Sequence, residues 1–187
     1  MPYRLEKKLL SSIVVLRSRK HTDHRGYFQE LIRTEKLAGF GVPSAFAQIN
    51  HSRSIRGVIR GLHAQLKPPQ GKLLHVVRGE IQLVELDIRP SSPTFGQHIS
   101  IDVSDENGRI VWIPPGFANG FCTMSEFADV IYHCTQRYNP DGELNIQALD
   151  PALNIEWCVV PPVLSQKDAA APTLKELTEL LRSLEKA

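Results

Sequence analysis

The sequence is poor in cysteine, in aromatic residues, in runs of like charge and in long apolar segments. Three cysteines occur among 187 residues, at Cys122, Cys134 and Cys158, and no two of them form a CxxC pair. An odd, scattered set argues against a disulfide framework and favours a reducing, cytoplasmic setting, in which such residues pack as small apolar side chains.

No part of the sequence has the apolar length that crosses a membrane. The chain begins with the charged stretch Met1-Pro2-Tyr3-Arg4-Leu5-Glu6-Lys7-Lys8, which lacks the apolar core of a secretory signal. Later segments fall short of the roughly 20 apolar residues that a membrane span needs. We therefore expect neither secretion nor a membrane partner.

Neither sign of charge is in large excess. The chain has 22 Lys and Arg against 20 Asp and Glu, a net charge of +2, and no basic run with interleaved aromatics. A nucleic-acid partner is therefore not expected, and any positive field must be local to a pocket. The 42% hydrophobic and 22% charged content of the 187 residues predicts a globular chain with a single domain over residues 1–187.

What the sequence does contain is a series of short β-type segments separated by turns. These segments alternate with period two or are rich in β-branched residues. The predicted strands are Ile13–Leu16, Val58–Arg60, Leu73–Val77, Ile81–Ile88, Gln97–Val103, Ile110–Ile113 and Ala128–Thr135. Arg78-Gly79-Glu80 is predicted to close a hairpin between two of them. This spacing favours a sandwich or barrel over alternating β and α units.

One amphipathic helix is predicted near the C-terminus. Thr173 and Glu176 have the spacing of a capping box, and leucines then recur at helical intervals, which predicts a stripe that packs on the β-domain or on a partner. These leucines are Leu174, Leu177, Leu180, Leu181 and Leu184.

The turn pattern is that of a cupin, but the metal ligands usual in that fold are missing. A metal-binding cupin offers His-x-His with a carboxylate, and a further histidine after a Pro-x-Gly turn. Here the first pattern reads His63-Ala64-Gln65, and Pro114-Pro115-Gly116 is followed by Asn119. Gln and Asn amides are poor ligands for zinc or iron. We therefore expect no metal ion and no other cofactor.

One stretch of the sequence indicates chemistry. Arg60-Gly61-Leu62-His63 is followed closely by Gln70-Gly71-Lys72, with no acidic residue between them. Histidine is the usual general base near neutral pH, and fixed cations stabilise an anion such as an enolate. A regular strand would place Arg60 and His63 on opposite faces, so we expect Gly61 to mark a bulge. The alternative is that His63 is a hydrogen-bonded core histidine.

A base that removes a proton from one face of a carbon needs an acid on the other face. Tyr132 lies within the apolar run Ala128–Thr135 and is a candidate for an inward phenol, with a core aromatic as the alternative. Five other histidines have no comparable setting and are interpreted as surface or packing residues: His21, His24, His51, His98 and His133.

The order of motifs resembles that of the dTDP-4-dehydrorhamnose 3,5-epimerases, which are metal-independent cupins of nucleotide-sugar metabolism. The resemblance runs from about Ile13 to Pro172. It is carried by Asp23–Glu30, Gln48–Ser52, Gly57–His63, Gln70–Lys72, Asp87–Arg89, Ser92–Gly96, Ile113–Phe117, Tyr138–Pro140, Asp150-Pro151 and Leu164–Asp168. It implies a mainly β cupin jelly roll (a double-stranded β-helix) with a C-terminal helix. It also implies a homodimer, for which the β-branched N-terminal segment is a candidate to pair across the interface.

The resemblance also implies a role for each site residue. His63 is the base, Asp168 the carboxylate that orients it, Tyr132 the acid on the opposite face, and Lys72 the cation beside the enolate oxygen. The positions that match substrate contacts are Arg25, Glu30, Gln48, Asn50, Arg60, Tyr138, Glu143 and Lys167. Asn119 stands where the family usually has a histidine that contacts the substrate, and Ala64 replaces an aromatic residue. Both departures leave the sugar specificity open.

The implied reaction inverts C3 and C5 of dTDP-4-dehydro-6-deoxy-D-glucose to give dTDP-4-dehydro-L-rhamnose, by proton removal and return beside the 4-keto group. The expected partners are this nucleotide-diphospho-sugar and a second copy of the chain. Two alternatives stay open. One is epimerisation at C3 alone, or of another nucleotide sugar; the other is a cupin that binds a sugar nucleotide without converting it.

Overall fold

The fold consists mainly of short antiparallel strands. The computed structural model describes residues 2–184, and side chains as far as residue 179. The strands are β1 (Tyr3–Leu9), β2 (Ile13–Ser18), β3 (Lys20–Asp23), β4 (Gly26–Gln29), β5 (Gln48–Ile55), β6 (Ile59–Gln65), β7 (Lys72–Arg78), β8 (Glu80–Asp87), β9 (His98–Ser104), β10 (Arg109–Ile113), β11 (Phe117–Thr123), β12 (Phe127–Cys134) and β13 (Glu143–Asn145). The helices are α1 (Thr34–Ala38), α2 (Gln166–Ala169) and α3 (Leu174–Leu184), with 3₁₀ turns at Pro140–Gly142 and Pro151–Leu153.

Two antiparallel sheets form the body of the molecule. The six-stranded sheet has the order β1-β2-β10-β7-β12-β5, the five-stranded sheet has the order β13-β6-β11-β8-β9, and β3 with β4 forms a separate hairpin. The chain changes sheet after β5, β6, β7, β9, β10, β11 and β12. This winding is that of a jelly roll, and it confirms the predicted fold class.

The main apolar core lies between the two sheets. It is built from the inward side chains of β2, β7, β10 and β12 on one layer and of β8, β9 and β11 on the other. The outer face of the five-stranded sheet is covered by the segment after β13, and the outer face of the six-stranded sheet by α1 and its flanking residues. Burial on both faces explains why strands such as β2 and β10 read as nearly continuous apolar runs.

The C-terminal helix begins where the capping box predicts. The backbone N–H of Thr173 donates to the Glu176 carboxylate at 2.8 Å, and the N–H of Glu176 donates to Thr173 Oγ1 at 3.4 Å. Leu177 is buried against the outer face of the five-stranded sheet, and Leu174 packs beside it. The side chains of Leu180, Leu181 and Leu184 lie outside the described residues. No described helix combines the length and the apolar character needed to span a bilayer.

Two sequence predictions about the strands are wrong. Arg78-Gly79-Glu80 turns the chain but does not close a hairpin, since β7 pairs with β10 and β12 whereas β8 pairs with β11 and β9. The turn instead carries the chain from one sheet to the other. The segment Ile13–Leu16 is also unable to pair with another chain, because β1 and β10 already occupy both of its edges.

Candidate active site

A cavity with two adjoining compartments lies between the sheets. The compartments have volumes of about 470 Å³ and about 220 Å³. His63, Lys72 and Tyr132 line both of them. His63 belongs to the five-stranded sheet, and Lys72 and Tyr132 belong to the six-stranded sheet. Residues from both sheets therefore surround the cavity.

His63 is paired with a buried carboxylate. Its Nε2 lies 2.6 Å from Oδ1 of Asp168, whose side chain is 6% exposed. Because a carboxylate accepts the hydrogen bond, the neutral imidazole carries its proton on Nε2 and its lone pair on Nδ1. The pair orients the ring and stabilises the imidazolium that forms when Nδ1 takes a proton.

The start of α2 sets the position of Asp168. Ser165 caps this helix, accepting from the backbone N–H of Asp168 at 3.1 Å and donating its hydroxyl to Asp168 Oδ2 at 2.8 Å. One carboxylate oxygen is therefore held by Ser165 and the other by His63. The four-residue helix is too short to show a period in the sequence, so Asp168 was found only through the family motif.

Arg60 and His63 both reach the cavity because β6 contains a bulge. Opposite β11, His63 pairs with Asn119 and Arg60 pairs with Phe121, so β6 uses one more residue than its partner. Gly61 has a φ of +123°, and a Cβ there would lie 2.6 Å from the Gly120 Cα. The geometry admits glycine alone, and the predicted bulge is confirmed.

Tyr132 faces the cavity from the six-stranded sheet. It packs against the core between the sheets and lines both compartments, so its side chain points inward. Burial raises its pKa above the ordinary value; Cys134 adds to this effect and Arg60 opposes it. The phenol therefore stays protonated near neutral pH and is available as an acid.

Lys72 brings a cation to the same cavity. Burial lowers the pKa of its ammonium group, while Glu85, Cys134 and Glu143 act to raise it. Within the described side chains, no hydrogen bond or ion pair occupies its Nζ atom. The group is therefore free to contact an anion in the cavity.

A polar cluster lines the cavity near the start of β13. Glu143 accepts from Lys167 Nζ at 2.5 Å and from the Tyr138 hydroxyl at 2.8 Å. Burial acts to raise the pKa of Glu143, but these two hydrogen bonds, together with the nearby charge of Lys167, outweigh burial and lower the pKa. Tyr138 and Glu143 line the larger compartment and Lys167 the smaller one.

The amides predicted to contact substrate lie together on β5. Gln48 donates to Asn50 Oδ1 at 2.8 Å and accepts from the backbone N–H of Tyr138 at 2.8 Å. Both amides line the larger compartment. Arg60 lines the smaller one and donates to Ser54 Oγ at 2.9 Å.

Asn119 also lines the smaller compartment, and a hydrogen bond to a buried side chain fixes its amide. Its Nδ2 donates to Oε1 of Glu85 at 2.6 Å. Glu85 is fully buried, and burial raises its pKa well above the ordinary value. Sequence reasoning missed this residue; the signal was an acid that shares the inward, period-two positions of its strand with Ile81 and Leu83.

Arg25 and Glu30 do not reach the cavity of their own chain. Arg25 lies at the turn of the β3–β4 hairpin, where it pairs with Asp23 at 2.7 Å. Glu30 follows β4 and pairs with Arg33. Both therefore stand apart from the other predicted site residues.

Several cavity residues were not predicted from the sequence. His51 lines the larger compartment, although it was interpreted as a surface or packing residue. Other additions to the lining are Ile49, Ser52, Gln65, Gln70, Leu74, Phe121, Cys134 and Ser165. Over the described residues, no three or more His, Cys, Asp or Glu side chains are grouped so that they could hold a metal ion.

Residues 7–176 match the sequence model of the dTDP-4-dehydrorhamnose 3,5-epimerase family. The chain belongs to this family. The dTDP-4-dehydrorhamnose 3,5-epimerase of Salmonella typhimurium is 44% identical to it over 180 residues, which cover 92% of this chain and 97% of that relative. Family membership confirms the predicted resemblance and the predicted enzyme class, an isomerase.

Solved structures of epimerases superpose on this family member over nearly its whole length. The dTDP-6-deoxy-D-glucose-3,5-epimerase RmlC of Legionella pneumophila, in complex with dTDP-4-keto-L-rhamnose, has a TM-score of 0.88 and 41% identity, covering 94% of this chain and 96% of that one. The 3'-monoepimerase ChmJ of Streptomyces bikiniensis, in complex with dTDP-quinovose, has a TM-score of 0.85 and 32% identity, covering 93% and 92%.

In this epimerase-family chain, both departures from the family pattern lie on the cavity wall. Ala64 lines the larger compartment and Asn119 the smaller one.

Proposed function

We propose that this chain inverts C3 and C5 of dTDP-4-dehydro-6-deoxy-D-glucose to give dTDP-4-dehydro-L-rhamnose. The observation that carries the proposal is the placement of the His63–Asp168 pair and the Tyr132 phenol on different sheets around one cavity. Inversion requires such an arrangement, because a proton must leave one face of a carbon and arrive at the other.

The reaction proceeds through an enolate. The 4-keto group makes the C–H bonds at C3 and C5 acidic, and His63 takes the proton through Nδ1. The C–H electron pair moves towards the carbonyl oxygen, where the Lys72 ammonium stabilises the developing charge. Tyr132 then donates its proton to the opposite face of the carbon. Water reprotonates Tyr132 and accepts the proton from His63, so the two groups are restored after each inversion.

We assign the remaining cavity residues to substrate binding. The guanidinium of Arg60 suits a diphosphate, since its fork contacts two oxygens at once. The amides of Gln48 and Asn50 and the ring of Tyr138 offer hydrogen bonds and a stacking surface for the nucleotide. Glu143, Lys167 and Asn119 supply further contacts around the sugar.

We also propose a homodimer, which gives Arg25 and Glu30 a place in the site. Phe28 is 71% exposed and Tyr27 is 52% exposed on the hairpin that carries Arg25. Two aromatic side chains exposed together suit burial against a second copy of the chain. In this dimer the hairpin of one protomer brings Arg25 and Glu30 to the cavity of the other.

The test is proton exchange in deuterium oxide with dTDP-4-dehydro-6-deoxy-D-glucose. Deuterium is expected at C3 and C5 of the product. His63→Ala should lower exchange by roughly a hundredfold to ten-thousandfold, as expected for loss of a general base. Tyr132→Phe should retain more exchange than His63→Ala while losing inversion. A His63→Ala variant with near-normal exchange removes His63 from the role of base.

Epimerisation at C3 alone is the second candidate. The likeness to a 3'-monoepimerase and the presence of Asn119 on the cavity wall favour it. Deuterium at C3 but not at C5 supports this candidate. If the sugar nucleotide binds but neither position exchanges, the chain is a binding cupin instead.

The proposal requires no metal ion or other cofactor. Activity that survives exhaustive dialysis against a chelator is the expected result, and loss of activity that added metal restores contradicts it.

We further propose one domain over residues 1–187 and a cytoplasmic location. The packing of α3 on the five-stranded sheet supports the first, and the exposed free thiol of Cys158 suits the second.

A further inference from the structure

A buried hydrogen bond determines how one amide of the cavity wall is oriented. Glu85 on β8 is 0% exposed, and its Oε1 accepts from Nδ2 of Asn119 at 2.6 Å. Its Oε2 is buried and has no hydrogen-bond partner among the described residues. Burying a carboxyl group that is only half satisfied costs free energy. An apolar side chain would suit this position better for stability alone, which points to a role in the site.

Strand pairing places Glu85 in line with the proposed base. His63 on β6 lies opposite Asn119 on β11, and Asn119 lies opposite Glu85 on β8. Directly opposed residues of antiparallel strands project from the same face of a sheet. On its other side Glu85 lies opposite Ile99, whose side chain offers no hydrogen bond. Asn119 is thus the polar neighbour of Glu85 in this row, and it stands between Glu85 and His63.

The cavity meets the oxygen end of the Asn119 amide. Its nitrogen is turned to Glu85. Among the described residues no donor reaches Oδ1 of Asn119, yet this oxygen is not one of the buried atoms that lack a partner. Because Asn119 lines the smaller compartment, Oδ1 is open to that compartment as a hydrogen-bond acceptor.

This orientation does not require an ionised Glu85. Burial raises the pKa of Glu85 and favours its neutral acid. A neutral carboxyl group keeps a carbonyl oxygen that accepts from an amide N–H, as a carboxylate oxygen does. Glu85 therefore acts on Asn119 through a short hydrogen bond, whatever its charge.

An open amide oxygen beside the proposed base suits a hydroxyl group of the substrate. The oxygen accepts and does not donate, so it favours a hydroxyl over a carbonyl. The sugar of dTDP-4-dehydro-6-deoxy-D-glucose has hydroxyls on C2 and C3. The C3 hydroxyl changes side when its carbon inverts, whereas the C2 hydroxyl keeps its side. An acceptor that is fixed from behind therefore matches the C2 hydroxyl throughout the reaction.

We propose that Glu85 is a positioning residue for substrate specificity: it fixes the Asn119 amide so that Oδ1 accepts a hydrogen bond from the C2 hydroxyl of the sugar. The inference rests on the proposed function, which places a 4-keto sugar nucleotide beside His63. It applies equally to inversion at C3 and C5 and to inversion at C3 alone, since neither reaction moves the C2 hydroxyl.

The test compares dTDP-4-dehydro-6-deoxy-D-glucose with its 2-deoxy analogue. The analogue leaves the amide oxygen unpaired, so wild-type kcat/KM should favour the hydroxyl-bearing sugar by about tenfold to a hundredfold. Glu85→Leu removes the acceptor that orients Asn119, and its preference should fall to within about threefold of unity. Glu85→Gln keeps an acceptor oxygen on a side chain of the same shape and should retain most of the preference. A preference that Glu85→Leu leaves at the wild-type value overturns the inference.

Two controls separate the orientation of the amide from the stability of the fold. Asp87→Asn changes the next acid on β8, which is fully buried and ion-paired with Arg89 at 2.5 Å; it should lower stability without altering the preference. Asn119→Ala should lose the preference, and adding Glu85→Leu should change it no further, because both side chains act through one hydrogen bond. If Glu85→Leu does not fold, Glu85→Ala replaces it with the same expected loss.

Binding of unreactive sugar nucleotides separates this inference from the proposed function. dTDP-D-glucose and dTDP-2-deoxy-D-glucose have no 4-keto group to acidify the C–H bonds at C3 and C5. Calorimetry on the wild type should show a Kd lower by about tenfold to a hundredfold for the first sugar, and nearly equal Kd values for Glu85→Leu. If the wild type turns over no 4-keto sugar, the proposed function fails, and these Kd values still decide the role of Glu85. Equal wild-type Kd values for the two sugars overturn the inference.

Discussion

At the residue scale, two histidines pair with buried aspartates, and their neighbours decide what each pair can do. His63 is bound to Asp168, whose other oxygen is held by a serine hydroxyl. His51 is bound to Asp129, but Arg53 also contacts both oxygens of that carboxylate. Because the Arg53 guanidinium already balances the charge of Asp129, this carboxylate stabilises an imidazolium less strongly than Asp168 does. Sequence alone does not distinguish these two pairs.

Asp168→Asn should therefore lower turnover by roughly a hundredfold to ten-thousandfold with little change in KM. The amide keeps the shape of the carboxylate but no longer stabilises the His63 imidazolium or holds its tautomer. Steady-state kinetics of epimerisation measure the effect. Asp129→Asn is the control and should retain turnover within about tenfold. Equal losses in both variants contradict the assignment of Asp168.

At the scale of elements, an irregular strand and a short helix carry the site. The bulge in β6 brings Arg60 and His63 to one cavity, and the cap of α2 aims Asp168 at His63. The bulge was predictable, because Arg60 and His63 differ by an odd number of residues with a glycine between them. The helix was not, because four residues show no period and local sequence does not say which strand a helix will meet.

Gly61→Ala tests the bulge. Its Cβ would lie 2.6 Å from the Gly120 Cα and 2.7 Å from the Asn119 carbonyl oxygen, so the pairing of β6 with β11 must shift. We expect a loss of about 2 to 4 kcal/mol in the free energy of unfolding, together with a large loss of activity. Urea denaturation measures the first effect.

Gly26→Ala separates strain from collision. Gly26 has a φ of +124°, nearly that of Gly61, but no atom lies within 4 Å of a Cβ built there. Gly26→Ala should therefore lower the free energy of unfolding only by the strain of the backbone conformation, about 1 to 2 kcal/mol. If both variants lose the same free energy of unfolding, the close approach of β11 does not restrict Gly61.

At the scale of the whole molecule, the site depends on the two sheets facing each other, and two predicted contacts lie elsewhere. Tyr132 and Lys72 come from one layer and His63 and Asn119 from the other. Arg25 and Glu30 lie on or beside the β3–β4 hairpin, away from their own cavity. The proposed homodimer is the arrangement that would unite all the predicted site residues.

Phe28→Asp should convert the dimer to a monomer, because it places a charge in an apolar contact. Sedimentation or light scattering of the purified protein measures the mass. Val160→Asp, at a position that is 83% exposed in the connection before α2, is the control and should remain dimeric. Arg25→Ala should remain dimeric but raise KM. A wild-type protein that is monomeric at micromolar concentration refutes the proposed dimer.

Stability of the whole molecule should fall in mild acid because of a buried histidine. Burial and the neighbouring His133 lower the pKa of His75 from 6.5 to about 4. The unfolded chain therefore binds a proton that the folded chain excludes, so the free energy of unfolding falls as pH drops from about 6.5 to about 4, by about 3 kcal/mol.

Urea denaturation across this pH range measures the fall. His75→Leu replaces the imidazole with an apolar side chain of similar size. It should remove the part of the pH dependence of the free energy of unfolding that His75 contributes. Parallel profiles for the wild type and the variant contradict a buried, neutral His75.

The sequence by itself determined seven of the thirteen described strands, the C-terminal helix with its cap, the bulge at Gly61 and, through ordered motifs, the family. These features depend on local residue order, on side-chain period and on glycine at one position, all of which can be read from neighbours along the chain. Only the tertiary structure decided that β7 and β8 enter different sheets, that Asp168 meets His63, and that Glu85 lies behind Asn119. Those relations join residues far apart in the chain, and they follow from how two sheets bury a shared apolar core, which no local pattern specifies.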